Sequence, residues 1–332
     1  IPKRDWSSDV CSSDLDRFSP QSSQLCRLML LSLLGRCRYG FGMYEMGLVG
    51  NCRISALISK SGSVDWLCLP RPDSPPVFGR LLDPDGGFFT ISPASGCLES
   101  SRQYYLENTN ILVTEFTDRG GSSFRVTDFC PRFERGGETN RPAALFRIVD
   151  PVAGSPVIRA FCQPVNGWEK SPARTNLRDG RARFEMDRGV LNVAMNVPGT
   201  CLDGSQNFEL REKAYFAMSW GFELEGDLAE ASEDFLRRTR AYWQTWVKHC
   251  SVPTLFQPET IRSALALKLH CYEDTGAILA ATTTSLPEEL GGRRNWDYRF
   301  CWLRDAHFTL SAFHSLGHFE EMEGFLKFLI GV

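Results

Sequence analysis

The chain has 332 residues, of which 42% are hydrophobic, 12% aromatic and 23% charged, and its formal net charge is -3. This composition is typical of a folded globular protein and excludes a disordered chain. With 37 Lys and Arg against 40 Asp and Glu residues, and no apolar run near the ~18 residues of a spanning helix, neither nucleic acid nor a membrane is an expected partner.

Cysteine is abundant, with 12 residues, but its positions are scattered. The sequence contains no CxxC motif and no Cys/His pair at zinc spacing, so we expect no metal site. The alternative, a set of disulfides, requires an oxidising compartment, and a chain of this length can bury a core without them. We therefore predict buried thiols and a cytoplasmic protein.

The first segment, residues 1–42, differs from the rest of the chain. Its beginning, IPKRDWSSDVCSSDL, lacks the apolar periods of strands and helices. Its one apolar run, Leu28 to Leu34, has the length of a signal-peptide core but is followed by Arg36 and Arg38 instead of a small-residue cleavage site. We predict that residues 1–42 are an artefact or upstream sequence, and that the protein starts at Met43 or Met46.

Residues 43–230 are predicted to form an antiparallel β-sandwich. Short apolar or alternating runs are punctuated here by Gly, Pro, Asn and Asp, with no helical pattern between them, which is typical of such a domain. The predicted strands are Arg53–Ser59, Val64–Leu69, Gly87–Ser92, Ile111–Thr117, Ser123–Asp128, Ala143–Asp150, Pro156–Gln163, Ala182–Met186, Val190–Val197 and Lys213–Phe222.

The apolar period changes to that of helices after Glu230. Residues 231–253 are predicted to be a linker helix, because Ser232 to Cys250 begins with Ser, Glu and Asp and then places its large apolar residues along one stripe. Further helices are predicted in residues 254–332. They cover Pro258–Thr275, Arg304–Leu316 and Glu320–Ile330, the last two each followed by glycine.

The segment that indicates a binding function is Gly291 to Ala306, GGRRNWDYRFCWLRDA. In an extended conformation its four alternating aromatic residues would share one face, and Arg304 and Asp305 would follow at the start of a helix. An Arg fork and an Asp carboxylate can bind vicinal hydroxyls, while aromatic rings cover the apolar face of a sugar. The alternative interpretation is a buried aromatic wedge in which Asp305 is a helix N-terminal charge and Arg304 its ion-pair partner.

Two long stretches of the chain resemble glycoside hydrolase family 15, the glucoamylases and trehalases. They are GLVGNCRISALISKSGSVDWLCLPRPDSPPVFGRLLD (Gly47–Asp83), and TGAILAATTTSLPEE (Thr275–Glu289) followed by RNWDYRFCWLRDA (Arg294–Ala306). The resemblance implies an N-terminal antiparallel β-sandwich, a helical linker and the first helices of an (α/α)6 barrel. It implies inverting, exo-acting hydrolysis of terminal α-glucosyl bonds in oligosaccharides or trehalose, by a protein that needs no cofactor.

The resemblance also implies roles for single residues. Arg304 and Asp305 would bind the glucose on the non-reducing side of the scissile bond, and Trp302 would form a wall of the pocket. Trp296, Asp297 and Arg299 belong to the same motif and are further candidates for substrate binding.

Inversion needs a general acid and a general base, usually two carboxylates, and in this family both are glutamates on later barrel loops. We therefore expect the catalytic acid and base beyond residue 332, and no glycosidase activity from this chain alone. The nearby glutamates are predicted to be solvated charges; they are Glu288, Glu289, Glu320, Glu321 and Glu323.

Length supports an incomplete barrel. Twelve helices with their connections need roughly 200 residues, whereas Thr254 to Val332 supplies 79. Two other functions remain open from the residues alone: a sugar phosphorylase of similar architecture, and a carbohydrate-binding or scaffold module without its own catalysis.

Overall fold

Short strands occupy the chain from Met46 to Trp220, where period-two runs such as SALIS bury every second side chain. The computed structural model describes residues 45–94, 96–178, 180–286, 289 and 291–331, all in one compact unit. The prediction for residues 1–42 lies outside these residues. Within them, the chain forms antiparallel β-sheets followed by four α-helices.

Each of the ten predicted strands is present, with ends shifted by three residues at most. The strands are β1 Met46–Gly50, β2 Ser55–Ser59, β3 Ser63–Cys68, β4 Pro76–Phe78, β5 Phe88–Pro93, β6 Leu98–Tyr105, β7 Leu112–Asp118, β8 Ser123–Phe129, β9 Phe133–Arg135, β10 Glu138–Asn140, β11 Ala144–Ala153, β12 Val157–Gln163, β13 Val165–Asn166, β14 Ser171–Pro172, β15 Arg174–Arg178, β16 Arg181–Met186, β17 Gly189–Met195, β18 Asp203–Glu209, β19 Ala214–Trp220, β20 Cys271–Tyr272 and β21 Ala277–Ile278.

Two large sheets form the layers of a sandwich. One has the order β1-β2-β3-β5-β12-β18, with β4 paired to β3, and the other has the order β15-β16-β17-β19-β11-β8-β7-β6. A single buried cluster contains side chains of both sheets, including Ile58 and Ile91 from the first and Phe124 and Phe216 from the second. The unpredicted strands β6, β15 and β18 are edge strands with mostly exposed side chains, so they lack an apolar alternation.

A buried ion pair ties the sheets together. Arg147 and Asp128 are fully buried, and Arg147 Nε donates to Asp128 Oδ1 at 2.7 Å. The same guanidinium donates to the carbonyl oxygens of Phe89 and Gly62, which belong to the facing layer. Because each charge has its partners, the pair can remain in an apolar core.

The four helices are α1 Leu228–Lys248, α2 Gln257–Lys268, α3 Leu303–Leu316 and α4 Phe319–Gly331. Helix α1 begins four residues before the predicted Ser232, because Asp227 is the N-cap and accepts a hydrogen bond from Glu230 N at 2.8 Å. Its Phe235 packs against Phe146 on the outer face of the eight-stranded sheet. The predicted linker helix is therefore also part of the packing of the sandwich.

Helix α2 ends at Lys268, seven residues before the predicted end at Thr275. The chain then turns back so that β20 pairs with β21, and the turn includes Gly276 at φ +86°. A Cβ atom at Gly276 would lie 2.2 Å from the backbone oxygen of Gly324 in α4. The turn therefore requires glycine, both for its backbone conformation and for the close approach of α4.

A second core lies among the helices. It includes Trp243 of α1, Leu265 of α2, Phe313 of α3 and Phe325 of α4. Cys52, from the loop between β1 and β2, joins the same cluster and therefore attaches the helices to the sandwich. Among the described residues, no helix has both the length and the apolar character needed to cross a membrane.

Candidate functional site

We call the segment with the four alternating aromatic residues, Trp296, Tyr298, Phe300 and Trp302, the aromatic motif. It does not form the continuous strand that would place these rings on one face. The Asp297 carboxylate accepts a hydrogen bond from Arg299 N at 3.1 Å and bends the chain into a turn. Phe300 and Trp296 are about half exposed, whereas the rings of Tyr298 and Trp302 pack together with centroids 5.3 Å apart. The expectation of one shared aromatic face is therefore wrong, because a local side-chain hydrogen bond competes with the extended backbone.

Backbone hydrogen bonds hold this turn against the preceding segment, residues 280–285. The Ala281 amide donates to Tyr298 O at 2.7 Å, and the Ser285 amide donates to Trp296 O at 3.1 Å. Thr284 and Asp297 form an isolated antiparallel bridge. The motif thus has a defined backbone although it lacks regular secondary structure.

Arg304 and Asp305 lie in the first turn of α3, as predicted. The helix has Trp302 as its N-cap, and Asp305 is placed where a negative charge favours the helix dipole. Arg304 Nη2 lies 3.2 Å from Asp305 Oδ2, and the Arg304 guanidinium carbon lies 5.8 Å from the centroid of the Trp302 ring. The Arg304 side chain is 66% exposed and that of Asp305 27%, so the pair is accessible to a ligand and is not part of a buried wedge.

Asp297 and Arg299 form a two-pronged ion pair. Arg299 Nε donates to Asp297 Oδ1 at 3.0 Å and Nη2 donates to Oδ2 at 2.7 Å. Burial by itself would raise the pKa of Asp297, but the hydrogen bonds and charge of Arg299 outweigh burial and lower that pKa. Asp297 is thus held as a carboxylate, and Trp302 Nε1 donates to its backbone oxygen at 3.1 Å.

A small cavity of about 160 Å³ borders the motif on the side of the sandwich. Its lining includes Arg71, Asp73, Tyr272, Arg299 and Phe300, but neither Arg304 nor Asp305. The Arg304–Asp305 pair and this cavity are therefore separate features of the surface.

A cavity of about 690 Å³ lies where the sandwich, α1, α2 and α4 meet. It contains a chain of ion pairs that the sequence did not predict. Arg132 Nη2 lies 2.8 Å from Glu273 Oε1, and Lys268 Nζ lies 2.6 Å from Glu273 and 2.9 Å from Glu321. We call Arg132, Lys268, Glu273 and Glu321 the ionic junction.

The prediction of a solvated Glu321 is wrong, because its side chain is only 3% exposed and it is paired with Lys268. Glu320, Glu323 and Glu289 are exposed, as predicted, and Glu288 lies outside the described residues. Sequence periodicity could have placed Glu321 on the inner side of α4, since it lies four residues before the buried Phe325.

The two carboxylates of the ionic junction do not suit an acid–base pair. Burial by itself would raise the pKa of Glu273 and of Glu321, but the charge and hydrogen bonds of Lys268, joined by those of Arg132 at Glu273, together outweigh burial and lower both pKa values. A general acid must hold its proton near neutral pH, which requires a raised pKa. The ionic junction is therefore a structural contact between the sandwich and the helices.

Seven of the nine cysteines in the described residues are buried, as predicted, whereas Cys97 is exposed and Cys301 is half-buried. Burial raises the pKa of Cys52 to about 11 and that of Cys68 to about 12, so these thiols stay protonated at neutral pH. In the described part of the chain, no group of three or more His, Cys, Asp or Glu side chains is arranged to hold a metal.

Two family models match separate parts of the chain. Residues 39–163 match a trehalase-like N-terminal domain, and residues 259–330 match glycosyl hydrolases family 15. The second match includes the aromatic motif and the Arg304–Asp305 pair. The two matches occur in the chain in the order of the sandwich and the helices.

Curated relatives with similar sequences are trehalases. The chain is 34% identical to a trehalase of Thermoplasma volcanium over 286 residues, which are 84% of this chain and 46% of the relative. It is 31% identical to a trehalase of Mycolicibacterium smegmatis, covering 87% of this chain and 47% of the relative. A trehalase of Mycobacterium tuberculosis is 32% identical, with 87% and 46% covered. The chain thus spans about half the length of these relatives.

Proposed function

Because the chain carries a trehalase-like N-terminal region and a segment of glycoside hydrolase family 15, we propose that it is the N-terminal part of an inverting, exo-acting α-glucosidase. Trehalose is the favoured substrate, since the curated relatives are trehalases. Terminal α-glucosyl bonds of maltooligosaccharides are the second substrate class.

The observation that carries this proposal is the accessible Arg304–Asp305 pair beside Trp302. The exposed guanidinium donates through a planar fork and the carboxylate only accepts, so together they match adjacent hydroxyl groups of a glucose ring. Trp302 offers an aromatic surface next to the same guanidinium. Trp296 and Asp297 are proposed as further contacts of the bound sugar.

The proposed domains are a sandwich at residues 43–230, a linker helix at 231–253 and the start of an (α/α)6 barrel at 254–332. Helices α2, α3 and α4 would be its first three helices. Leu326, Leu329 and Ile330 of α4 are 42% to 86% exposed, and further barrel helices would cover them. The length of the relatives supports such additional helices.

In the proposed reaction, Arg304 and Asp305 hold the non-reducing glucose while two carboxylates outside this chain carry out the proton transfers. One protonates the departing glycosidic oxygen, and the other activates a water on the opposite face of the ring. Asp305 acts as a hydrogen-bond acceptor for the sugar. We also keep a cytoplasmic location as a prediction, based on the buried thiols.

The test uses the complete protein encoded by the gene, assayed with trehalose and maltose while proton NMR follows the anomer released. Equal initial amounts of β- and α-glucose from trehalose would support inversion, because the departing glucose keeps its α configuration. Release of α-glucose alone, or a requirement for inorganic phosphate, would contradict inverting hydrolysis. The 332-residue chain alone should show no turnover. Turnover by this chain would contradict the location proposed for the acid and base.

Arg304→Ala and Asp305→Asn should each lower kcat/KM for trehalose by about 10-fold to 150-fold, because each removes charged hydrogen bonds worth about 1.5 to 3 kcal/mol. Arg237→Ala is the matched control: Arg237 is a 74% exposed helix arginine paired with Asp234, and its loss should leave kcat/KM unchanged. Unchanged kinetics in both site variants would remove the pair from the substrate site.

A further inference from the structure

Arg299 connects the aromatic motif to a loop of the sandwich. Its side chain is 4% exposed. Its Nη1 donates to the backbone oxygens of Ser74 at 2.5 Å and Pro72 at 3.2 Å, and approaches Cys68 Sγ at 3.4 Å. These acceptors lie in or next to the loop between β3 and β4, more than 220 positions earlier in the chain.

The bonding of Arg299 leaves little capacity for a ligand. Each of its three guanidinium nitrogens already has a protein acceptor, namely Asp297 for Nε and Nη2 and the sandwich loop for Nη1. The exposed ring of Trp168, from a turn of the sandwich, lies 5.4 Å from the guanidinium carbon. Arg299 is therefore placed to act on other protein groups instead of on a sugar.

The residue that Arg299 binds, Asp297, is in turn hydrogen-bonded to a residue of the proposed substrate site. Asp297, fixed by both of its carboxylate oxygens, accepts a hydrogen bond from Trp302 Nε1 through its backbone oxygen. Trp302 is the N-cap of α3, and Arg304 and Asp305 are the second and third residues after it. A shift of Arg299 would thus be transmitted to the start of α3 through the hydrogen bonds of Asp297.

The sandwich holds the motif at a second point as well. Trp66 of β3 donates from its indole Nε1 to Thr282 O at 2.7 Å, and residues 280–285 are hydrogen-bonded to the backbone of the motif. Since irregular backbone keeps one conformation only when its surroundings determine it, these two attachments explain how a turn can present a substrate site.

We propose that Arg299 is a positioning residue through which the sandwich sets the orientation of Trp302, Arg304 and Asp305 towards the substrate. The sandwich then has a part in catalysis without contributing a reacting group. This inference rests on the proposed α-glucosidase function, because the orientation matters only if that pair binds the sugar. It also replaces direct substrate contact as the role of Arg299.

The kinetic test compares Arg299→Ala and Arg299→Lys in the complete protein, at a temperature where circular dichroism shows each variant to be folded. Since a displacement of about 1 Å in a site can cost about 100-fold, Arg299→Ala should lower kcat/KM for trehalose by 10-fold to 100-fold and raise KM. Lysine keeps the charge but cannot bond Asp297 and the loop together, so it should restore only part of the activity.

The matched control is Arg159→Ala, because Arg159 Nε also donates to a backbone oxygen, that of Gly204, but within the sandwich. It should leave kcat and KM unchanged even if the melting temperature falls. A merely structural Arg299 would behave in the same way, losing thermal stability with unaltered kinetics, and this outcome would overturn the proposal.

Hydrogen–deuterium exchange of the 332-residue chain tests the anchor without any activity. Arg299→Ala should increase exchange together in peptides covering residues 66–80 and 294–302, whereas Arg159→Ala should change neither. Unaltered exchange in both peptides would refute the anchor itself. If instead the anchor is present but the complete wild-type protein hydrolyses no α-glucoside, the proposed function fails and the positioning role falls with it.

Discussion

Replacing Lys268 by methionine would test whether the ionic junction holds the sandwich and the helices together. Lys268 is 6% exposed, and its ammonium lies between Glu273 and Glu321. Burial by itself would lower the pKa of Lys268, but the nearby Cys52, Glu273 and Glu321 groups together outweigh burial and raise it. Methionine fills a similar volume without the charge, so the variant removes the two ion pairs of Lys268 and leaves the packing nearly intact.

The expected cost comes mainly from Glu321. Glu273 keeps its contact with Arg132 in the variant, whereas Glu321 loses its ammonium partner and keeps a neutral donor, the Trp246 indole, at 3.2 Å. The Glu321 side chain is 3% exposed, and removal of one partner from a buried pair costs about 3 to 5 kcal/mol. The free energy of unfolding should fall by that amount at pH 7.

The assay is urea denaturation of the chain followed by tryptophan fluorescence, since Trp243 and Trp246 lie in the helical core. Lys248→Met, which removes an exposed lysine from the last turn of α1, is the control and should change the free energy by less than about 0.5 kcal/mol. The double variant Lys268→Met/Glu321→Leu should recover most of the loss, because no buried charge remains unpaired. A loss below about 1 kcal/mol for Lys268→Met alone would refute the reasoning.

Two further predictions concern the same contact between the sandwich and the helices. Glu273 and Glu321 have lowered pKa values in the folded state, so their stabilisation is present above the ordinary value of 4.5 and is lost as the pH falls through the lower folded values. Urea denaturation between pH 7 and pH 3 should show this loss, and Glu321→Gln should make it smaller; an equally steep decline in the variant would contradict the assignment. Gly276→Ala should destabilise the chain by more than Gly291→Ala, which has a similar φ of +78° but open space around its Cβ and should cost about 1 kcal/mol. Equal melting temperatures for the two glycine variants would show that α4 does not approach Gly276.

The strands with a buried face could be predicted from the sequence because their environment imposes an apolar alternation. β2 and β5 show this pattern along their whole length. Edge strands such as β6 have no second neighbour and few buried side chains, so their sequence carries no comparable signal. The same limit applied to the end of α2, since the turn at Gly276 depends on a glycine of α4 that lies 48 positions later.

For the candidate site, sequence was sufficient to place Arg304 and Asp305 at the start of a helix next to an aromatic residue. That result depends on local features, namely the helical period of the apolar residues and the order of the residues in the aromatic motif. Neighbouring residues determine both. It could not distinguish an accessible pair from a buried one, because exposure depends on the packing of distant elements. The structure decided this by leaving Arg304 66% exposed.

The sequence by itself thus determined the order of the elements, the strands with one buried face and the segment that carries sugar-binding residue types. Tertiary structure alone decided which charges are buried together, because Arg132, the neighbouring Lys268 and Glu273, and Glu321 come from three separate parts of the chain. It also decided that Arg299 bonds to the loop at Pro72 and Ser74. Both depend on contacts over long sequence separations, and no local periodicity encodes such contacts.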